Sequence, residues 1–339
     1  MAWSRVGTFN DPLRCEAALQ STVDAELLPL GRGSFHVEAT QIGMDRLRMQ
    51  RFKIALPQIN TIEVSPDRKS IGFLLETSAS NLKHRGRSVT PNDVLIYGHD
   101  VLHQRSEANF HYGTMSVPTQ DFPVLFATIV GREFVETPQT CIVRPDPALM
   151  SRLLKLHGLI GQLAHDTPDV LLDLPEVRRA LEEQLTHVMV RCLATGTGVE
   201  PRTSDRRHGA VIARFEEFLE ANPDRPLYLT EICAAIGVAE RTLRASCEQH
   251  FGMGPNRFLA LRRMHLARRA LLGADPSEST VTGIVTDHGF WELGRFSVAY
   301  RALFGESPSA TLRRAGEFAS STPPAPELSR RKVAFRPNH

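Results

Sequence analysis

The sequence predicts a two-part α+β protein, with an antiparallel β region and a helical hairpin followed by an all-α domain. Between residues 34 and 117, short segments alternate apolar and polar side chains and are separated by turn residues. Such segments are typical of an antiparallel sandwich or barrel. From residue 146 the apolar spacing becomes helical, and within residues 208–315 one helical pattern occurs twice. A chain of 339 residues is long enough for two domains.

The β region follows residues 1–30, where we expect a short helix near residues 17–19 that ends by residues 27–30. The predicted strands cover residues 34–40, 45–50, 60–64, 71–75, 93–97 and 112–117. Turn residues such as those of Ser65–Asp67 lie between them.

Two amphipathic helices are expected at about residues 146–194, divided by Pro168. Leu153, Ile160 and their neighbours form the apolar stripe of the first, and Leu181 and Leu185 lie on that of the second. These helices could pack on the sheet or pair with a second subunit. We interpret them as a hairpin that includes a dimer surface.

Two segments lack periodic apolar residues. Residues 196–207 are interpreted as a linker, and residues 316–339, rich in Ser and Pro at their start, as a disordered tail. The predicted domains are therefore residues 1–195 and 208–315.

The repeat inside residues 208–315 is the most specific pattern in the chain. Its first three members recur 52 positions later and the other five 53 positions later. The pairs are Ile232 and Ile284, Gly237 and Gly289, Val238 and Phe290, Leu243 and Phe296, Cys247 and Tyr300, Phe251 and Phe304, Gly252 and Gly305, and Pro255 and Pro308. Each copy consists of a short helix, a tight turn at a left-handed glycine, and a second helix that ends at Phe-Gly before a proline. This order is the signature of a helix-turn-helix unit.

A long helix over residues 255–272 is predicted between the two copies, where it would hold the units at a fixed separation. Arg262, Arg263, Arg268 and Arg269 are expected to be solvated on it, with one or two reaching phosphate. A packing helix at residues 210–219 precedes the first copy.

The charge distribution and the cysteine content limit which functions the protein can have. The net charge is +2, but residues 201–339 carry 20 Arg and Lys against 15 Asp and Glu. Nineteen of those 20 cations are Arg, which binds phosphate and guanine in a bidentate manner. The five scattered cysteines show no metal-ligand spacing, and no apolar run reaches the roughly 18 residues of a membrane helix. We expect a reduced cytoplasmic protein without a signal peptide, a membrane partner or a bound metal.

Residues 208–315 resemble the DNA-binding domain of AraC/XylS transcriptional regulators. The resemblance rests on Ile232, Gly237–Val238 and Arg241–Leu243, on residues 261–272, and on the pattern from Gly289 to Pro308. It covers about a third of the chain. Residues 34–120 look, less clearly, like the cupin-type jelly-roll sensor of that family, and residues 146–194 match the place where its members usually dimerise.

The resemblance implies a base-reading face in each unit. In the first unit this face comprises Arg241, Thr242, Arg244 and Ala245, while Leu243 and Cys247 point inward. In the second unit it comprises Leu293, Gly294, Arg295, Ser297 and Val298. Because that second face is mostly apolar, we expect contact with thymine methyl groups or weak readout, with Arg295 as its main polar reader. Ala239 stands where the family often has Ser, which predicts a weak helix N-cap.

His84, His99, His103 and His111 lie near turns of the β region, and cupins often bind metal through histidines. Without an HxH and Glu at cupin spacing, we expect surface or rim histidines, no cofactor, and a small organic effector in the mouth of the barrel.

The resulting hypothesis is a sequence-specific transcriptional regulator, an activator that responds to a small-molecule effector. Its two units would bind successive major grooves of double-stranded DNA about one turn apart. The expected partners are promoter DNA, RNA polymerase, the effector and a second copy of the chain, at the nucleoid in the cytoplasm. The alternative is an enzyme with a DNA-binding appendage, either a cupin oxygenase or a DNA-repair transferase. A transferase would need an activated cysteine.

Overall fold

The computed structural model describes residues 2–19, 23–31, 33–76, 82–198, 203–222 and 227–315. The strands are β1 (Trp3–Phe9), β2 (Val23–Pro29), β3 (Val37–Gly43), β4 (Arg48–Ile54), β5 (Gln58–Val64), β6 (Arg68–Leu74), β7 (Leu82–His84), β8 (Arg87–Val89), β9 (Val94–Ile96), β10 (Leu102–Ser106), β11 (Phe110–Pro118), β12 (Cys141–Arg144) and β13 (Thr197–Gly198). The helices are α1 (Pro12–Leu19), α2 (Phe122–Val130), α3 (Pro147–Asp166), α4 (Pro168–Leu172), α5 (Pro175–Thr195), α6 (Thr203–Glu220), α7 (Leu229–Ile236), α8 (Glu240–Phe251), α9 (Pro255–Gly273), α10 (Val281–Asp287), α11 (Leu293–Phe304) and α12 (Pro308–Arg313).

The N-terminal strands form two antiparallel sheets, as the alternating pattern predicts. One sheet has the order β1-β3-β4-β11-β6-β9-β12-β13, and the other the order β2-β5-β10-β7-β8. Each predicted strand segment overlaps an observed strand, with ends displaced by a few residues. The α+β class, with a sheet-rich N-terminal part and a helical C-terminal part, is confirmed.

Strand β2 was not predicted, because residues 27–30 were interpreted as the end of a helix. Ala25 and Leu27 lie in the core of the sheets, whereas Leu28 packs into the core of the C-terminal helices. A strand covered on both faces has no polar face to alternate with, so its Leu-Leu-Pro segment does not show a period of two.

The five-stranded sheet therefore lies between two cores. On β5, Gln58 and Asn60 face the interior of the sandwich, while Ile59 packs against the C-terminal domain. On β10, Gln104 faces inward and His103 contacts Glu216 of α6. Because side chains alternate across a strand, one sheet serves both parts of the molecule.

The predicted hairpin is formed by α3 and α5, which pack on each other and on the larger sheet. The Glu182 carboxylate of α5 accepts hydrogen bonds from the backbone N–H groups of Asp45, Arg46 and Leu47, at 2.8–3.1 Å. These bonds tie the hairpin to the turn before β4. Leu159 on α3 and Val177 on α5 remain exposed.

Helix α6 begins at Thr203, inside the segment interpreted as a linker, and it covers the predicted packing helix of residues 210–219. Residues 203–207 lack an apolar period because this first turn precedes the buried Val211 and Ile212. The predicted tail at residues 316–339 lies outside the described residues.

The two repeat units are built as predicted. Helices α7 and α8 form the first and α10 and α11 the second, and α9 contacts both. Gly237 and Gly289 adopt φ values of 67° and 75° in the turns, and Gly252 and Gly305 end α8 and α11 in the same left-handed conformation.

Candidate nucleic-acid interface

Helix α8 is anchored by one buried face. Leu243, Cys247 and Phe251 are buried, and the Phe251 ring stacks on that of Phe258 from α9 at a centroid distance of 4.2 Å. The predicted inward positions are therefore confirmed. This stripe fixes which side of α8 is presented outward.

The predicted reading residues of the first unit lie on the outward side of α8. Arg241, Arg244 and Ala245 are exposed and Thr242 is half-buried. The Arg244 guanidinium donates a hydrogen bond of 2.9 Å to the Glu240 carboxylate one turn earlier. Such an exposed ion pair contributes little to stability, so Arg244 can exchange it for a base or phosphate at little cost.

The start of α8 has no side-chain cap. Ala239 occupies the N-cap position with an extended backbone and makes no capping hydrogen bond, as the sequence predicts. The first N–H groups of α8 are consequently left for solvent or for an anion such as a DNA phosphate.

Helix α11 presents the predicted face of the second unit. Gly294, Arg295, Ser297 and Val298 are exposed, whereas Leu293 is half-buried and packs against the core of Phe296 and Tyr300. Leu293 thus faces partly inward. Arg295 lies 2.8 Å from the Glu292 carboxylate and is otherwise solvated, with 86% of its side chain exposed.

Trp291 was not among the predicted site residues. It lies in the turn before α11, and 76% of its surface is exposed. A large aromatic side chain with no core partner beside a reading helix is a candidate for DNA contact. Its position in the turn of the second repeat was the available sequence signal.

The prediction that the arginines of α9 are solvated is wrong for Arg268 and Arg269, and Arg262 and Arg263 are half-buried. Arg268 is buried and pairs with Asp11 and Glu306, and Arg269 pairs with Glu16 at 2.8 Å. The acidic partners Asp11 and Glu16 belong to the N-terminal part and are remote in sequence, so the helical pattern alone gave no sign of them. These two guanidiniums bind the N-terminal part of the molecule.

The sheet also contacts the far end of α8. A Cβ atom at Gly252 would lie 2.3 Å from the Arg105 guanidinium of β10, and one at Gly86 would lie 2.9 Å from Gln249. These contacts leave the N-terminal turns of α8, with Arg241 and Arg244, uncovered.

A cavity of about 70 Å³ lies between the two sheets. Its wall is largely aliphatic and aromatic, and its polar groups are uncharged. The polar lining residues are Gln50, Gln58, Asn60, Tyr97, Gln104, Tyr112 and Thr114. The Tyr97 and Tyr112 hydroxyls hydrogen-bond to each other, and burial raises the pKa of Tyr97 to about 12.

The predicted rim histidines divide into two pairs. His99 is largely exposed and His111 pairs with Glu76, but His84 and His103 are enclosed between the small sheet and the C-terminal helices. For these two the expectation of a surface position is wrong, because the C-terminal domain covers their strands. Within the described ranges, no group of three or more His, Cys, Asp or Glu side chains is placed to hold a metal ion.

The profile of a family described as a helix-turn-helix domain matches residues 232–314. This span runs from the buried Ile232 of α7 to the end of α12 and so contains both units. Residues 232–314 form an AraC-type helix-turn-helix domain. The resemblance predicted from the repeat is thereby confirmed, and the family relatives are AraC/XylS regulators.

The chain is similar to several known proteins. The chain is 31% identical to the probable thc operon regulatory protein of Rhodococcus erythropolis over 184 residues, covering 50% of this chain and 54% of that protein. It is 34% identical to the XylDLEGF operon transcriptional activator 1 of Pseudomonas putida over 101 residues, 30% of each chain. Among solved structures, the AraC-like transcriptional activator CuxR is 16% identical, with a TM-score of 0.39 over 85% of this chain and 100% of that one.

The chain therefore spans about half the length of the first of these relatives and about a third of the second. Among the helices of the residues that the structure describes, none combines the length and apolarity needed to cross a membrane.

Proposed function

We propose that this protein is a sequence-specific transcriptional regulator whose AraC-type domain binds promoter DNA in response to a small-molecule effector. The observation that carries the proposal is the pair of outward faces on α8 and α11. The opposite sides of both helices carry buried aromatic or aliphatic stripes, and both repeat units contact the single helix α9.

In this proposal the two units enter successive major grooves about 10 base pairs apart on one face of the duplex. Arg241 and Arg244 contact base edges in the first groove, with Thr242 and Ala245 beside them. A bidentate arginine–guanine contact discriminates by about 1–3 kcal/mol. Gly294, Arg295, Ser297 and Val298 form the weaker second face, and Leu293 supports it.

The shared sheet supports a route from effector to DNA. In β2, Ala25 and Leu27 line the cavity, whereas Leu28 packs on the DNA-binding domain. In α1, Cys15 lines the cavity and the adjacent Glu16 binds Arg269 of α9. A ligand that moves α1 or β2 therefore changes the contacts that hold α9.

The same layout supports the domain division. Residues 1–195 would sense the effector and dimerise, and residues 208–315 would bind DNA. Residues 196–207 would connect them, with α6 beginning inside this segment at Thr203. Exposed Leu159 and Val177 are apolar positions available for a homodimer. RNA polymerase would be contacted at the promoter, which places the protein at the nucleoid in the cytoplasm.

No observation favours the enzyme alternative. Burial raises the pKa values of Cys15, Cys192 and Cys247 to about 12, so these thiols stay protonated and are poor nucleophiles. The pKa of Cys233 is also raised.

The proposal is tested by selecting binding sites for the full-length protein from a random duplex pool at fixed salt. We expect an enriched motif that binds at least a hundredfold more tightly than random duplex. The Arg241→Ala/Arg244→Ala variant should lose the motif while keeping salt-dependent binding to any duplex. Arg191→Ala, an exposed arginine on α5, is the matched control and should retain the motif. Enrichment of no motif, or its retention by the double variant, would reject the proposal.

A further inference from the structure

The cavity between the sheets contains a small cluster of carboxamides, which we call the amide cluster: Gln58, Asn60 and Gln104. Gln58 and Asn60 are two residues apart on β5 and share its inward face. Gln104 stands directly opposite Asn60 in the neighbouring strand β10. All three side chains are buried, with at most 5% of each residue exposed.

Three atoms of the amide cluster have no hydrogen-bond partner within the described residues: Gln58 Oε1, Asn60 Oδ1 and Gln104 Nε2. The Gln104 carboxamide does interact with the hydroxyls of Tyr97 and Tyr112, but its amide nitrogen remains unpaired. Buried polar groups are ordinarily hydrogen-bonded, and these three atoms mark the positions where a bound ligand, or water in its absence, would complete the hydrogen bonds.

The cavity wall is uncharged. None of the described lining residues is Asp, Glu, Lys, Arg or His. An ionised ligand would lose its hydration without gaining a counter-ion, which is strongly unfavourable in such surroundings. The Tyr97 and Tyr112 hydroxyls stay neutral because burial raises both pKa values. The Cys15 thiol, with a pKa of about 12, offers no thiolate to an electrophile.

The volume limits the size of the ligand. At about 70 Å³ the cavity is roughly half the engineered 150 Å³ cavity that binds benzene, and it is well above the 10–15 Å³ that one water needs. A polar head with a body of one or two carbon atoms fits this space. Aliphatic side chains such as Leu27 and Ile62 would contact that body.

We infer that the effector is a small uncharged molecule with an apolar body and a primary carboxamide, or a neutral group of the same hydrogen-bonding pattern, as its head. Its N–H groups donate to the Gln58 and Asn60 oxygens, and its carbonyl oxygen accepts from the Gln104 amide. A carboxylate has no donor for those two oxygens. The role of this ligand as an effector rests on the proposed function, but the binding site itself does not depend on DNA binding.

The test uses acetamide and acetate, which share their methyl group and differ in the head group. Calorimetric titration of the full-length protein at pH 7.5 should show acetamide binding at least tenfold more tightly than acetate. Asn60→Leu and Gln104→Met should each weaken acetamide binding at least tenfold. Gln162→Met, an exposed amide on α3, should leave it unchanged. Urea unfolding without ligand checks that each variant is folded, and the two substitutions provide independent tests.

Equal or tighter binding of acetate, undiminished binding in both cavity variants, or binding of neither probe would overturn the inference. Site selection on random DNA separates this result from the proposed function. Loss of amide binding with an intact DNA motif rejects only the effector class. Amide binding without any DNA motif rejects the regulator proposal and leaves the ligand site standing.

Discussion

Arg269 of α9 donates two hydrogen bonds to the Glu16 carboxylate of α1, at 2.8 and 3.0 Å. The same carboxylate accepts the backbone N–H of Leu27 from β2 at 2.7 Å. One acidic side chain thus joins the long helix of the DNA-binding domain to two elements that line the cavity between the sheets. Asp11 and Arg268 form a second, more deeply buried pair beside it.

Arg269→Gln should lower the free energy of unfolding by about 2 kcal/mol. Removing one partner of a buried pair costs about 3–5 kcal/mol, and the smaller value follows because 36% of the Arg269 side chain is exposed. Urea unfolding measures the change. Arg257→Gln, an exposed position on the same helix, is the control and should have little effect. If the Arg269→Gln/Glu16→Gln double variant is destabilised by the full sum of the single changes, the pair does not couple the domains.

Acid should destabilise the protein through its buried histidines. Desolvation lowers the pKa of His84, His157 and His265 from 6.5 to about 3, and that of His250 to about 4. The pKa is lower in the folded state, so their contribution is complete above pH 6.5. It is lost as the pH falls towards 4, by about 1 kcal/mol per pH unit for each histidine.

Glu16 opposes this trend over part of the range. Burial raises its pKa from 4.5 to about 7 despite the nearby Arg269, so its contribution is largest below pH 4.5 and is lost as the pH rises through 7. Glu216 acts in the same direction as Glu16, because burial also raises its pKa. Four histidines outweigh two carboxyls, and the net stability should fall between pH 6.5 and 5.

The measurement is the urea midpoint at pH 7.5, 6.5 and 5.5 for the wild type and for His84→Gln. The variant should lose less stability on acidification, because it removes a group that is also repelled by Arg85 and Arg87. His187→Gln, an exposed control on α5, should keep the wild-type slope. An unchanged slope for His84→Gln would contradict a neutral buried His84.

A side chain at Gly237, the turn glycine of the first unit, should destabilise the domain. Gly237→Ala should destabilise the domain by about 1 kcal/mol, since φ is 67° there and the space around a Cβ is open, leaving backbone strain as the cause. Gly158→Ala is the contrasting control. Gly158 lies inside α3 with equally open surroundings, so this substitution should raise the free energy of unfolding by about 0.5–1 kcal/mol. Thermal unfolding of both variants checks the signs, and destabilisation of both would exclude the conformational explanation.

The second unit should contribute less base discrimination than the first. Arg295→Ala is expected to reduce the preference for the selected motif over random duplex, but by less than Arg244→Ala, which should reduce it by about 1–3 kcal/mol. Competition binding at fixed salt measures both. A larger loss of specificity in Arg295→Ala would reverse the proposed ranking of α8 and α11.

The C-terminal domain could be predicted closely from the sequence because its constraints are local. Gly237, Gly289 and the aromatic stripe of Phe296 and Tyr300 each require one backbone or packing environment, and the repeat doubles the signal. The alternating strands were recognisable for the same reason. Leu28, His103 and Arg268 were not placed correctly, since each is buried by a partner far away in the chain.

For the exposed base-reading candidates, the sequence predicts the position of the side chain but not its binding partner. The helical period of α8 determines that Arg241 and Arg244 point outward, and the structure places them there. Neither the period nor the fold identifies the bases they meet. The polar lining of the cavity likewise required the register of β5 against β10, which brings Asn60 opposite Gln104.

Base-by-base interference mapping of the full-length protein on its selected site measures whether α8 and α11 read one duplex together. Two clusters of essential bases are expected in successive major grooves, centred about 10 base pairs apart. Arg244→Ala should erase base dependence in one cluster and Arg295→Ala should affect only the other. A single cluster, or one in which both substitutions act on the same bases, would contradict this arrangement.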